Sequence, residues 1–162
     1  PLARNDVSIG WHGNAILVSK DMTVRGVARI ALPGLEPRGA VRVDIALGKG
    51  LSLVATHLGL LRWDRRAQLH AIRVETESQE RVVIAGDFNE WSANQGFEPL
   101  LERFEVHAPG RSFHARRPIA ALDRIALTKG LSLRDAGVEQ GALARRASDH
   151  LPIWADIDLT EA

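Results

Sequence analysis

Residues 81–89 read RVVIAGDFN. Val82-Val83-Ile84-Ala85 is a continuous apolar run, the pattern of a strand covered on both faces, and Gly86-Asp87 breaks it into a loop. A strand buried on both sides needs a layer on each side. The loop that follows carries Asp87 and Asn89, which point to one side if the segment stays extended. The run therefore predicts a sheet-rich α+β sandwich with helices outside, and it places a carboxylate and a carboxamide at a strand end.

Upstream, Asn14–Ser19 (NAILVS) and Val24–Leu32 read as strands, the second ended by Pro33-Gly34. Val41–Leu47 alternates, with Val41, Val43, Ile45 and Leu47 on one face. Gly48-Lys49-Gly50 joins it tightly to Leu51–His57, which predicts a β-hairpin. Asp64 is a plausible N-cap for a helix running to Gln79, with Leu69, Ile72 and Thr76 on one side. Downstream, a short helix is expected over Gly96–Phe104, then a polar stretch over Glu105–Arg117, then strands over Leu122–Leu127 and Leu151–Leu159.

The 162 residues suit one domain, and an apolar share of 45% is enough for a core. A net charge of +1 argues neither for nor against nucleic acid, because binding needs a local basic patch. Cysteine is absent, which excludes disulfides and thiolate-held metals. No apolar run approaches the roughly 20 residues of a transmembrane segment. Pro1 in place of an initiator Met implies residues upstream.

Ionisable residues gather at strand ends: His57 in ATHL, Asp87 and Asn89 in GDFN, and Ser148-Asp149-His150 before the last strand. Asp123 shares a strand face with Ile125 and Leu127, where an acid is costly unless paired or ligated. The oxygen-rich set of Asp87, Asn89 and Asp149 suits a hard cation such as Mg²⁺ or Mn²⁺, and the histidines suit proton transfer or charge stabilisation. Plainer readings stand beside these. Asp87 could cap a turn, His57 could be a hydrogen-bonded strand histidine, and Asp123 could pair with Arg124 or another arginine. Trp91 could stack on substrate or serve as core or lid, whereas Trp11, Trp63 and Trp154 read as structural. His70, on a helix among Arg and Glu, reads as a solvated surface residue, and His12, His107 and His114 carry no role beyond substrate contact. Arg62, Arg65 and Arg66, and likewise Arg111, Arg116 and Arg117, flank the expected cleft. Either group could hold a phosphate-rich ligand or form a solvated face.

In that order GNAILVSK, ATHL, GDFN, LDRI and SDHLPI resemble the motif set of the endonuclease/exonuclease/phosphatase superfamily, whose fold is deoxyribonuclease-I-like. The resemblance covers Gly13 to Leu159, and FHARRPIAALDRI is similar to bacterial members without assigned roles. It implies a four-layer α/β/β/α sandwich of mainly antiparallel sheets and a Mg²⁺- or Mn²⁺-dependent phosphoester hydrolase. In that reading His150 acts on the attacking water and Asp123 fixes its tautomer. Asp87 and Asn89 position the nucleophile and the scissile phosphate, His57 stabilises the transition state, and Asp149 contributes to metal binding. Asn14 shapes the cleft floor, and Trp91, Arg116 and Arg117 contact substrate.

The resemblance also implies two strands not found here, one ending in Asn and one in Gln-Glu, the latter giving the principal metal ligand. Gln79-Glu80 falls instead in a helix-to-strand connection. Residues 1–162 are thus expected to form the C-terminal two-thirds of such a domain. They would be part of a longer protein, or they would recruit the missing strands through self-association. The substrate class stays open between nucleic acid, phospholipid and sugar phosphate. The other outcome is a phosphoester-binding module that keeps the cleft without the chemistry.

Overall fold

The computed structural model of the chain describes residues 13–159. Trp11 and His12 lie outside the described residues. The strands are β1 (Val24–Ala31), β2 (Gly39–Ile45), β3 (Leu51–His57), β4 (Val82–Asp87), β5 (Phe104–His107), β6 (Asp123–Thr128), β7 (Ser132–Val138) and β8 (Ile153–Asp158). Two helices, α1 (Arg62–Glu75) and the four-residue α2 (Ala144–Ala147), interrupt them.

One sheet has six strands in the order β1-β2-β3-β4-β6-β5, and β7 pairs with β8 in a second sheet. The expected hairpin is β2–β3, and every neighbouring pair is antiparallel except β3–β4. Parallel neighbours need a long crossover, which α1 supplies. The central sheet is covered on both faces. On one, Val54, Val82, Ile84 and Ala126 pack with Leu69 and Ile72 of α1 and with Phe88, Phe97, Leu100 and Phe104. On the other, Val83, Ile125 and Leu127 pack with Leu133, Ile153, Ala155 and Ile157 of the β7–β8 sheet. Each fully buried Val, Leu or Ile contributes about 1.5–3 kcal/mol, and β4 supplies such residues to both cores. The fold is an α+β sandwich of mainly antiparallel sheets.

Several local expectations give way to tertiary structure. Residues 14–18 form no strand: Leu17 is 98% exposed, and the Asn14 amide donates to the Gly39 carbonyl at 2.7 Å. Helix α1 begins with Leu61, not Asp64, at its N-cap, because the Asp64 carboxylate accepts the Leu35 N–H at 3.3 Å. It stops at Glu75, where Thr76 turns its hydroxyl back to the Ile72 carbonyl at 2.9 Å. Residues 96–103 form no helix, and 98–103 are turns. Gly96 has φ +90° with the Glu90 carboxylate beneath it, and Pro99 lacks a donor; of the expected apolar face Phe97, Leu100 and Phe104 are buried, but Leu101 is half-exposed. β5 and β7 were not expected. The first is a four-residue edge strand and the second carries charges and a register shift, so neither shows a clean alternation. Trp63 is 70% exposed and is not a structural residue, whereas Trp154 lies over Gly137.

Candidate active site

Strand register assembles the site. His57 is the pairing partner of Asp87 across β3–β4, and Asp87 is the partner of Asp123 across β4–β6. These three positions therefore stand in one row across the sheet. Alternation puts them on the face of Leu53, Val83, Ala85, Ile125 and Leu127, so the row caps the apolar core between the two sheets. Gly86 allows β4 to run this close to β3. Its φ is +146°, and a Cβ there would sit 1.9 Å from the Thr56 carbonyl oxygen.

His150 reaches the row from the loop before β8. Its Nδ1 lies 2.8 Å from Asp123 Oδ2, its Nε2 lies 3.7 Å from Asp87 Oδ2, and its ring centroid is 5.0 Å from that of Phe113. Ser112, fully buried, donates its hydroxyl to the same Asp123 oxygen. Asp123 is thus held by His150 and Ser112. Arg124, the alternative partner, turns to the other face, where its guanidinium lies over Phe97 and bonds the carbonyls of Glu90 and Ser92. On the far side of Asp87, His57 Nε2 is 3.3 Å from Oδ2. Asn89 departs from the extended geometry expected of it, with φ 50°, a value Asn tolerates. Its backbone N–H consequently folds back to Asp87 Oδ1 at 2.8 Å, and its amide donates to the Leu58 carbonyl at 2.8 Å.

Electrostatics follow from this crowding. Burial raises the Asp87 pKa, with the Asp123 charge adding to it against the Asn89 N–H. Burial lowers His57 more than the Asp87 charge raises it. Burial also pulls His150 down, but the bond to Asp123 and the charges of Asp123, Asp87 and Asp149 outweigh it, so His150 is raised.

One cleft of about 510 Å³ gathers His57, Asp87, Asn89, Asp123, Asp149 and His150. Trp91, Leu60, Leu122 and Phe113 complete its apolar wall. Asn14 is not among the residues lining the cleft, and Arg116 and Arg117 are exposed beyond it. Of the other arginines, Arg62 and Arg66 pair with Glu98 at 3.6 and 3.0 Å. Arg65 is buried against Glu90 at 2.8 Å. Ser112, Phe113 and Leu60 escaped the sequence reading. Ser112 and Phe113 lie in a polar stretch without periodicity, and Leu60 in a connection, so only tertiary structure brings them to the site.

A divalent cation fits this donor set on chemical grounds. Ligand atoms of Asp87, Asp123 and His150 all lie within 4.8 Å of one another, each group only partly exposed. Two facing carboxylates suit a hard ion. Asp149 is not part of that group but borders the same cleft.

Comparison with known proteins agrees with the geometry. The Endonuclease/Exonuclease/phosphatase family matches residues 4–150, and the chain belongs to that family. The uncharacterized protein YbhP of Escherichia coli K12 is 32% identical over 164 residues, covering 93% of this chain and 64% of YbhP. The chain thus spans less than two-thirds of the length of this curated relative. Among solved structures, a functionally unknown conserved protein from Enterococcus faecalis V583 has TM-score 0.71 at 16% identity, covering 85% of this chain and 67% of that one. An endonuclease/exonuclease/phosphatase from Beutenbergia cavernae DSM 12333 has TM-score 0.69 at 22% identity, covering 85% and 45% respectively. At these identities the likeness is one of fold. No helix among the described residues is long and apolar enough to cross a membrane.

Proposed function

We propose that the protein is a divalent-metal-dependent phosphoester hydrolase that activates water for in-line attack at phosphorus. The observation that carries this reading is the convergence of Asp87, Asp123 and His150 from separate segments within 4.8 Å. Asp123 accepts a hydrogen bond from the Nδ1–H of His150, which leaves Nε2 free to accept a proton from the attacking water. Ser112 holds Asp123 from behind, so the imidazole keeps its tautomer and direction. Asp87 orients the nucleophile from beside His150, and Asn89, pinned through both its backbone and its amide, borders the phosphoryl group. His57 donates an imidazole N–H to a phosphoryl oxygen and so stabilises the charge developing there.

Asp87 and Asp123 would hold a Mg²⁺ or Mn²⁺ ion, with Asp149 adding a third carboxylate. Such an ion supplies Lewis-acid stabilisation of the phosphoryl oxygens and makes water more acidic. The roles of Asn14, Arg116 and Arg117 are confined, on this reading, to shaping or approaching the cleft from outside.

The test is hydrolysis of bis(4-nitrophenyl) phosphate and 4-nitrophenyl phosphate by the purified protein. Release that requires Mg²⁺ or Mn²⁺ and stops on chelation supports the reading. Absence of release with either ion overturns it and leaves a phosphoester-binding module.

A further inference from the structure

Two large apolar side chains stand in the cleft with their own backbones clamped. Trp91 is 64% exposed and Leu60 is 64% exposed, and both line the cavity that holds the reactive row. Neither sits on a loose loop. The residues on either side of Trp91 are held by Arg124, which bonds the Glu90 and Ser92 carbonyls at 3.4 and 3.3 Å. The Glu90 carboxylate accepts the Ser92 N–H at 2.9 Å, and the Phe113 ring meets the indole edge-on at 6.1 Å. Leu60 donates its N–H to Glu36 at 2.8 Å and accepts from Arg65 at 2.5 Å. The same guanidinium bonds Glu90 at 2.8 Å, so Arg65 ties the two loops together.

Burying Arg65, Glu90 and Arg124 costs desolvation, and a fold gains little by fixing a Trp and a Leu that then remain in water. Rigid, exposed apolar groups beside reacting residues are worth that cost when a ligand covers them, since preordered groups lose no freedom on binding. The geometry points to a subsite, formed by Trp91 and Leu60 and positioned by Arg65, that takes a planar or apolar ester group of a small phosphoester. This inference rests on the hydrolase reading and names its substrate class: a compact phosphate ester of an aromatic or apolar alcohol. The indole covers the group's face and Leu60 excludes water from its edge, while phosphate lies against the His57–Asp87–Asp123 row.

Phenyl phosphate and methyl phosphate carry the same charge and differ only in the group this subsite would meet. Calorimetric titration of each in Mg²⁺ buffer, with inorganic phosphate release recorded in the same runs, separates binding from turnover. Phenyl phosphate is expected to bind roughly tenfold more tightly, as one stacked ring warrants. Trp91→Ala is expected to abolish that preference and Leu60→Ala to reduce it, with methyl phosphate affinity unchanged in both. Both side chains are exposed, so neither truncation should disturb the fold, which circular dichroism checks. Equal affinities in the wild type, a preference that survives Trp91→Ala, or failure of both esters to bind overturns the subsite. So does an oligothymidylate that binds more tightly than phenyl phosphate in wild type and Trp91→Ala alike. An aryl preference with no phosphate release from phenyl phosphate and no nitrophenol release from bis(4-nitrophenyl) phosphate sinks the hydrolase reading and keeps the subsite; release from either with equal affinities does the reverse.

Discussion

Asp87 and Asp123 are direct pairing partners across the antiparallel β4–β6 ladder, so their carboxylates share one face and one end of the sheet. Two acids opposite one another repel, and burial compounds this by raising Asp87. A fold keeps such a pair when a proton, a histidine or a cation sits between them. Here His150 is bonded to one acid and faces the other, with Nε2 3.7 Å from Asp87.

A cation that settles between these carboxylates must stabilise the folded state by mass action. Millimolar Mg²⁺ or Mn²⁺ is expected to raise the thermal midpoint of the metal-free protein, and Asp87→Asn and Asp123→Asn should each remove most of that rise. Differential scanning fluorimetry reads this without any substrate. An unchanged midpoint in the wild type would discard the ion site.

Asp123→Asn preserves shape but can no longer impose the same tautomer on His150. Turnover of bis(4-nitrophenyl) phosphate is expected to fall by about 10²–10⁴-fold, the range over which a positioned acid or base acts. The urea midpoint should move little, because the amide can still bond Ser112. Turnover within threefold or so of wild type would mean that Asp123 is a packing residue and not a partner of the base.

The central strand and its loop were legible because a run such as Val82–Ala85 has few alternatives: a continuous apolar segment ended by Gly-Asp is a doubly covered strand. That Asp123 needs a partner could be anticipated for a similar reason, since an acid on the face of Ile125 and Leu127 must be paired; that the partner is His150 and not Arg124 followed only from the family resemblance. The row of His57, Asp87 and Asp123 was not legible as a row. Which residues of three strands stand side by side depends on register, and register is set by the α1 crossover and by the closeness that Gly86 permits. Ser112 shows the same limit, being a buried serine whose partner is 11 positions away in a stretch with no periodicity. Helical spacing over residues 96–104 picks out Phe97, Leu100, Leu101 and Phe104; three of these are buried although the backbone is a series of turns, while Leu101 is 50% exposed.

Gly86→Ala tests the contact on which that register depends. The added Cβ would lie 1.9 Å from the Thr56 carbonyl oxygen, which is backbone and cannot rotate away, and φ +146° is strained for alanine. A loss of about 2–4 kcal/mol in unfolding free energy is expected, in the range of severe backbone clashes. Urea titration measures it. A change below about 0.5 kcal/mol, the size of an ordinary surface substitution, would show that β3 and β4 can part without cost.

Protonation of His150 offers a last handle on the site, best read in the metal-free protein. Its pKa stands above the ordinary 6.5: burial opposes this, and the Asp123 bond and the charges of Asp123, Asp87 and Asp149 prevail. A group whose folded pKa exceeds its unfolded one stabilises the fold fully below the unfolded value. That stabilisation disappears as pH rises through the folded value. His57 is lowered by burial, so its contribution runs the other way, present above 6.5 and lost as pH falls through the folded value. Both proteins keep His57, so comparing wild type with His150→Gln removes its own contribution and leaves only its charge coupling to His150. The difference between their urea midpoints in chelator should be largest below pH 6.5 and should shrink as pH rises above it. A difference that stays constant as pH rises would mean that the imidazole at residue 150 is held by packing against Phe113, with its charge contributing nothing.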